Sequence, residues 1–203
     1  MKEIVIDVHG KGGSAAEAGH YRPLFPDAEV IGFDYRAQTP WEAKEEFPAF
    51  FRTLRDRCDH LKLIANSIGA FFSLSSLSQE QVDEAYLISP VVDMNQLIEN
   101  MMQWAGVSEQ ELAEKQESPT QFGETLSMQY LRYVREHPVS WHVPTRILYG
   151  EHDNLTSMQT ISAFAGKTGA ALTVMPGGEH WFHTEAQMQF LDRWLQTQPE
   201  AKV

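Results

Sequence analysis

The chain has 203 residues, of which 28 are acidic and 16 basic, and a formal net charge of −12 with a pI near 5.0. This length is typical of one domain with a sizeable core. The acidic balance argues against nucleic acids and anionic membrane surfaces as partners, because both are bound by clustered Lys and Arg side chains.

The single cysteine, Cys58, excludes an internal disulfide and any cysteine-rich metal site. The first residues lead directly into a strand pattern with acidic residues at positions 3 and 7, which is unlike a signal peptide. No apolar run approaches the roughly 18 residues that a membrane span needs. We therefore expect a cytoplasmic protein whose partner is a small-molecule substrate.

The first predicted strand is the β-branched run Ile4–Val8, which ends at the glycine-rich stretch 9–13. Ser14 and Glu17 then have the spacing of a capping box and predict a short helix. Pro23 and Pro26 end that segment. The chain therefore starts as a strand, a glycine loop and a brief helix.

A second strand is predicted over residues 30–35. Thr39, Pro40 and Glu42 then form a strong helix start, with Thr39 as the N-cap and Glu42 in the box position. The spacing of the following aromatic residues predicts a helix to about Arg57 that buries one face.

Residues 61–72 show an apolar strand, a sharp corner and a helix start, with Ser67 at the corner. Ala65 and Gly69, two positions before and after Ser67, are small, as a tight strand-to-helix turn requires. At such a corner the helix directs its free amides and positive dipole end toward any anion that forms beside the serine. A serine that merely begins a buried helix would have the same local pattern.

The rest of the chain continues the alternation of strands and helices, except over residues 93–140, where only helical periods are found. The predicted strands are 85–90, 146–150 and 171–175, and the predicted helices are 157–167 and a last one capped by Thr184 and Gln187. Such alternation predicts a parallel sheet covered on both faces, and the helical stretch predicts an insertion.

Ser67, Asp153 and His180 each follow a predicted strand, so the three side chains should meet at one edge of a parallel sheet. Their chain order is nucleophile, acid, histidine, which resembles the α/β-hydrolase superfamily. The resemblance spans Ile4 to Leu195 and is carried by His9-Gly10, Ala-Asn-Ser67-Ile-Gly, Gly150-Glu-His-Asp153 and Gly177-Gly-Glu-His180. Ala65 departs from the usual glycine.

The resemblance implies one α/β-hydrolase domain over residues 1–203, with a mostly parallel sheet of about six strands flanked by helices. It implies a small helical cap insertion at about residues 93–140. The family's first two strands are missing from this chain, which is why the expected sheet is reduced.

The resemblance also assigns roles. Ser67 is the nucleophile, His180 the base that takes its proton, and Asp153 the acid that orients the imidazole. The backbone amides of Ile68 and Lys11 form the oxyanion hole. The expected activity is hydrolysis of a small carboxylic ester through an acyl-enzyme intermediate, with no cofactor.

Two sets of residues offer alternatives near this edge. Asp93, beyond the fourth strand, occupies the other place where such folds put the acid. His9, His152 and His183 lie near the same edge and raise the question of a metal, but their spacing matches no ligand motif, and we expect no metal.

Four residues of the predicted insertion, Met101, Met102, Trp104 and Met128, are candidates for an adaptable substrate pocket. Their helical spacing is equally typical of plain packing within the insertion.

A rival hypothesis uses the first third of the chain. Residues 10–15 fit the pattern G-x-G-x-x-A after a strand, and Asp34 follows at the distance of a ribose-binding acid. This pattern is typical of an NAD(P)-dependent oxidoreductase. Against it, Pro23 and Pro26 cut short the helix that should support the pyrophosphate. A third hypothesis is a hydrolase-like fold that binds a ligand without converting it.

Overall fold

The computed structural model describes residues 2–197. Its strands in chain order are β1 (Glu3–Val8), β2 (Glu29–Gly32), β3 (His60–Asn66), β4 (Glu84–Ile88), β5 (Glu117–Pro119), β6 (Thr125–Ser127), β7 (Thr145–Gly150) and β8 (Ala171–Met175). Its helices are α1 (Ala18–Tyr21), α2 (Pro40–Arg55), α3 (Ser67–Ser76), α4 (Met94–Ala105), α5 (Glu109–Lys115), α6 (Met128–Glu136), α7 (Met158–Thr168) and α8 (Glu185–Gln196), and 3₁₀ turns at Ala15–Glu17 and Arg22–Leu24 flank α1. Within these residues no helix is both long and apolar enough to cross a bilayer.

The described residues form two compact units. The first contains residues 2–92 and 141–197, and the second contains residues 93–140. The second unit has the bounds of the segment for which the sequence predicts a helical insertion; its role as a cap over a substrate stays a prediction.

The first unit is built on a six-stranded sheet in the order β2-β1-β3-β4-β7-β8, with every neighbouring pair parallel. This confirms the predicted reduced sheet. After β1 the chain adds β2 on one side and β3 on the other, so the strand order reverses between β1 and β3. Ligands of open parallel sheets bind beyond the carboxyl ends of the strands at such a reversal.

Both faces of the sheet are covered, which explains why β1 is buried at successive positions from Ile4 to Val8. On one face, Val5 and Ile64 pack in a cluster with Tyr21 of α1 and with Leu191 and Trp194 of α8. Helix α3 packs on strands β1, β3 and β4, and α2 packs on α3. The resulting sandwich holds the carboxyl ends of the strands in place.

The predicted helix starts are found where the capping pairs stand. Thr39 caps α2 with Glu42 in a complete capping box, and Ser14 does the same with Glu17. Thr184 caps α8, and its partner is Gln187. Side-chain caps satisfy amides that have no acceptor within the helix, so these helices begin at the predicted residues.

The second unit corrects one prediction, because the sequence of residues 93–140 was expected to contain no strand. Its three helices are accompanied by an antiparallel hairpin in which Ser118 faces Leu126. Each strand has only three residues, which is too short for an alternating pattern to be visible. Gly123, at φ 85°, provides the turn between them.

Strand β2 is shorter than predicted, since it ends at Gly32 and not at residue 35. Gly32 pairs with Asp7, and β1 ends one residue later at Val8. Residues after Gly32 therefore have almost no strand left to pair with. Phe33 is buried and stacks on Phe50, at a centroid distance of 4.0 Å. The apolar residues after Gly32 therefore pack among aromatic side chains instead of extending the sheet.

Candidate active site

Ser67 lies at the junction between β3, which ends at Asn66, and α3, which begins at Ser67 itself. Its φ of 49° is in the left-handed region, which a residue with a Cβ adopts only where the surrounding structure enforces it. Gly69 allows the turn, because a Cβ there would lie 2.3 Å from the carbonyl oxygen of His9. The corner is therefore a strained turn that projects the serine from the end of a central strand.

The Ser67 hydroxyl is hydrogen-bonded to Nε2 of His180 at 2.8 Å. On its other side, Nδ1 of His180 donates to Oδ2 of Asp153 at 2.7 Å. The side chain of Asp153 is fully buried and that of His180 is 14% exposed. The structure thus brings the three predicted catalytic residues into one hydrogen-bonded chain, from the end of β3 to the loops after β8 and β7.

The loop after β7 fixes the Asp153 carboxylate. Its Oδ1 accepts from the amides of Leu155 at 2.8 Å and Thr156 at 3.0 Å, which leaves Oδ2 for the histidine. Gly150 lets the neighbouring loop come close, since a Cβ there would lie 2.4 Å from the carbonyl oxygen of Glu179. Because of this contact, His180 and Asp153 can meet although they are 27 residues apart.

Asp93, the alternative acid, has a different role in the structure. Its carboxylate accepts from the amide of Gln96 at 2.9 Å and caps helix α4 in the second unit. Among the described residues, Asp153 is the carboxylate that contacts His180.

Ile68 and Lys11, the predicted oxyanion donors, lie on the two segments that flank Ser67. Ile68 is the second residue of α3, where helix amides have no acceptor within the helix. Lys11 belongs to the glycine loop after β1 and lines the cavity that contains Ser67. The donation of these two amides to an oxyanion stays a prediction.

Ser67 and His180 open onto a cavity of about 710 Å³ in the first unit. The glycine loop forms one side of it. The remaining lining divides into a polar group and an apolar group. The polar side chains are Glu17, His20, Tyr21 and Asn66, and the apolar ones are Ile88, Leu155, Trp181, Phe182, Met188 and Leu191.

Most of this lining was not predicted as functional. Met188 and Leu191 lie on α8, where their apolar spacing indicates only a buried helix face, and nothing in the sequence marks Tyr21 as part of a site. Trp181 could have been noticed, because it directly follows the predicted catalytic histidine.

The central strand β1 carries a buried carboxyl group. Asp7, on β1, is fully buried, and neither of its oxygens has a hydrogen-bond partner among the described residues. Burial, and to a lesser extent the charge of Glu17, raises the pKa of Asp7 to about 8. Burial also raises the pKa of the Tyr21 phenol, with a smaller contribution from Asp7. Both shifts favour the neutral forms of these groups at pH 7.

The remaining histidines of this edge have separate contacts. His9 stacks on Tyr35 at 4.5 Å, with Nδ1 on the carbonyl oxygen of Gly10. His152 is exposed, and Nδ1 of His183 bonds the carbonyl oxygen of Trp181. Within residues 2–197 there is no group of three or more His, Cys, Asp or Glu side chains that could hold a metal ion.

The four predicted pocket residues all lie in the second unit. Met102 and Met128 are buried, and Met101 is half-buried. Trp104 is 47% exposed and makes an edge contact with Phe122. The lining of the Ser67 cavity comes from the first unit, so a contact of these four residues with substrate stays a prediction.

The structure argues against the dinucleotide-binding hypothesis. Helix α1 has only four residues and starts at Ala18, well after the glycines that should lead into it. Asp34 is exposed and lies outside β2. The sheet order also differs from the 3-2-1-4-5-6 order of that fold, since β1 here lies between β2 and β3.

No family model and no curated protein matches the chain. Solved structures do. Est1E from Butyrivibrio proteoclasticus is similar at a TM-score of 0.77 and 16% identity, over 96% of this chain and 85% of that one. Mouse alpha/beta hydrolase domain-containing protein 10 is similar at a TM-score of 0.71 and 16% identity, over 95% of this chain and 87% of that one. XC6422 from Xanthomonas campestris is described as a serine hydrolase without lid. It is similar at a TM-score of 0.61 and 17% identity, over 96% of this chain and 79% of that one. With the sheet order and the strained serine corner, these likenesses establish that the chain has the α/β-hydrolase fold.

Proposed function

We propose that this protein is a serine hydrolase that cleaves small carboxylic esters through an acyl-enzyme intermediate. The observation that carries the proposal is the chain of two hydrogen bonds, 2.8 Å from Ser67 to His180 and 2.7 Å from His180 to Asp153. A serine hydroxyl is a poor nucleophile until a base takes its proton, and this arrangement supplies one.

In the first half of the reaction, Oγ of Ser67 attacks the ester carbonyl carbon while its proton passes to Nε2 of His180. Asp153 holds the imidazole in the tautomer that can accept at Nε2 and stabilises the imidazolium. The negative charge on the former carbonyl oxygen is met by the amides of Ile68 and Lys11. The tetrahedral intermediate then expels the alcohol, whose oxygen takes the proton from His180.

In the second half, water attacks the acyl group on Ser67. His180 takes one proton from the water and returns it to Oγ of Ser67 as the ester bond breaks. The products are the alcohol and the carboxylic acid, and the enzyme is regenerated without a cofactor.

The cavity supports a substrate of limited size, because about 710 Å³ lies within the usual range of small-molecule pockets. Its apolar side chains suit the hydrocarbon part of an ester. Among the similar structures, Est1E has been solved with ferulic acid bound. Methyl ferulate therefore belongs in a substrate panel beside p-nitrophenyl esters of increasing acyl length.

The proposal is tested by labelling with a fluorophosphonate, which traps an activated serine covalently. The native chain should be labelled and should hydrolyse at least one ester of the panel. Ser67→Ala should abolish labelling and lower turnover by about 10³-fold or more.

Ser89→Ala provides a matched control. Ser89 also follows a central strand with a left-handed backbone, at φ 42°, but its buried hydroxyl has no hydrogen-bond partner among the described residues. Labelling of Ser89→Ala should equal that of the native chain. Labelling that persists in Ser67→Ala would contradict the assignment, and a native chain that neither labels nor hydrolyses would favour a binding protein.

A further inference from the structure

Trp181 is the most exposed large apolar side chain in the described part of the chain, at 72%. It directly follows His180 and lines the same cavity as Ser67. An indole ring this open to water leaves a large part of its apolar surface uncovered. Its position beside the proposed base places that surface where a substrate would be bound.

The indole ring is held in a defined orientation. It stacks on the imidazole of His183, with ring centroids 4.4 Å apart and ring planes 20° apart. Nδ1 of His183 bonds the carbonyl oxygen of Trp181 at 2.8 Å, which joins the two residues a second time. A ring that is already ordered loses little conformational freedom when a second ring packs on it.

The chemistry of ester cleavage determines which part of a substrate comes near Trp181. The proton that His180 takes from Ser67 is given to the oxygen of the departing alcohol, so this oxygen must lie close to Nε2 of His180. Trp181 follows His180 in the chain and lines the same cavity, so we assign it to the side of the alcohol group. On this assignment the acyl group would contact the other apolar lining, formed by residues such as Ile88, Met188 and Leu191.

We propose that Trp181 is a specificity-determining residue that stacks on a planar aromatic ring in the alcohol part of the substrate. The inference depends on the proposed hydrolase function. Aromatic rings gain from offset or edge contacts beyond the burial of their area, whereas a puckered saturated ring of similar size gains only the burial. The substrates favoured by this site are thus esters of aryl-methyl alcohols.

The test compares benzyl acetate with cyclohexylmethyl acetate, two esters with the same acyl group and alcohols of similar size and acidity. In the native chain the ratio of their kcat/KM values should favour the benzyl ester. Trp181→Ala should lower that ratio by about 3- to 10-fold, mostly through KM, because the contact forms on binding. Trp181→Phe, which keeps an aromatic ring, should retain most of it.

Met158→Ala serves as a control, since Met158 is another exposed apolar side chain of the first unit, on α7. It should leave the ratio unchanged. An unchanged ratio in Trp181→Ala, or an equal loss for both esters, would overturn the inference. Methyl phenylacetate and methyl cyclohexylacetate carry the same two rings in the acyl group. If Trp181→Ala lowers the kcat/KM ratio of this pair and leaves that of the two acetates unchanged, the assignment of Trp181 to the alcohol side is overturned.

The two proposals fail in different ways. If the native chain hydrolyses cyclohexylmethyl acetate and is labelled by a fluorophosphonate, the hydrolase function stands whatever Trp181 does. If it does neither, the proposed function fails, and the role of Trp181 fails with it.

Discussion

Asp153 and Asp7 are two acidic residues of the first unit whose side chains are both fully buried. Their surroundings differ. Asp153 lies in the loop after β7, where two backbone amides and His180 donate to its oxygens. Asp7 lies within β1, where the strand's own amides and carbonyls bond to neighbouring strands and nothing among the described residues donates to the side chain.

Burial alone therefore does not determine what a carboxyl group can do. The donors around Asp153 fix the direction of its carboxyl group, so it can orient a histidine. Without donors, Asp7 keeps its proton, and its pKa is raised to about 8 by burial and by the charge of Glu17. A loop can supply amides to a carboxylate, whereas the middle of a parallel strand cannot, because its amides are used by the sheet.

Asp153→Asn should have the largest effect on activity. The amide can keep the contacts of Oδ1 with Leu155 and Thr156, but its NH₂ group would face Nδ1 of His180. The imidazole would then carry its proton on Nε2 and could no longer accept from Ser67. We expect kcat/KM for a p-nitrophenyl ester to fall by about 10³- to 10⁴-fold.

The same preparation should unfold in urea at nearly the native midpoint, which separates a loss of chemistry from a loss of fold. If Asp153→Asn keeps activity within tenfold of the native chain, the carboxylate does not orient the base. Asp153 and Asp7 would then differ in their contacts and not in their function.

Asp7→Asn should have the next largest effect, and on stability instead of activity. Below about pH 4, Asp7 is neutral in both the folded and the unfolded chain. Between about pH 4 and 8 the unfolded carboxyl ionises while the folded one keeps its proton, so the free energy of unfolding of the native chain falls as pH rises. Above pH 8 the penalty is constant.

The asparagine variant does not carry this penalty, so its stability relative to the native chain should grow by about 5 kcal/mol between pH 4 and pH 8. Urea unfolding at pH 5, 7 and 9 measures the difference. Asp34→Asn, a change at an exposed carboxylate, should follow the native profile. A pH-independent difference between Asp7→Asn and the native chain would show that Asp7 is ionised in both states.

The sequence was sufficient to predict the placement of Ser67, Asp153 and His180 at one edge. Each follows a short strand pattern, and parallel strands bring such ends together whatever lies between them. The helix starts were equally predictable, because a capping box such as Thr39 with Glu42 depends on residues three positions apart.

Features that depend on distant contacts were not predictable. The burial of Asp7 depends on its position in β1, between β2 and β3 in a sheet that is covered on both faces. An acidic residue in an apolar run does not by itself indicate such burial. The hairpin of Ser118 and Leu126 is stabilised by pairing between three-residue strands, which leave no periodicity. Met188 and Leu191 of α8 likewise line the cavity, although the apolar pattern of that helix indicates only a buried face.

Asp93 is a third carboxylate of the chain, and its substitution should have the smallest effect of the three. It is exposed and bonded to one backbone amide, that of Gln96, so its role is to cap α4. Asp93→Ala should cost about 1 kcal/mol of unfolding free energy, the usual effect of losing an N-cap, while kcat/KM stays within about twofold of the native value. Asp93→Asn should restore the stability, because an asparagine side-chain oxygen caps nearly as well. A loss of activity comparable to that of Asp153→Asn would instead show that Asp93 takes part in the reaction. A carboxylate with a single amide donor would then be sufficient for that role.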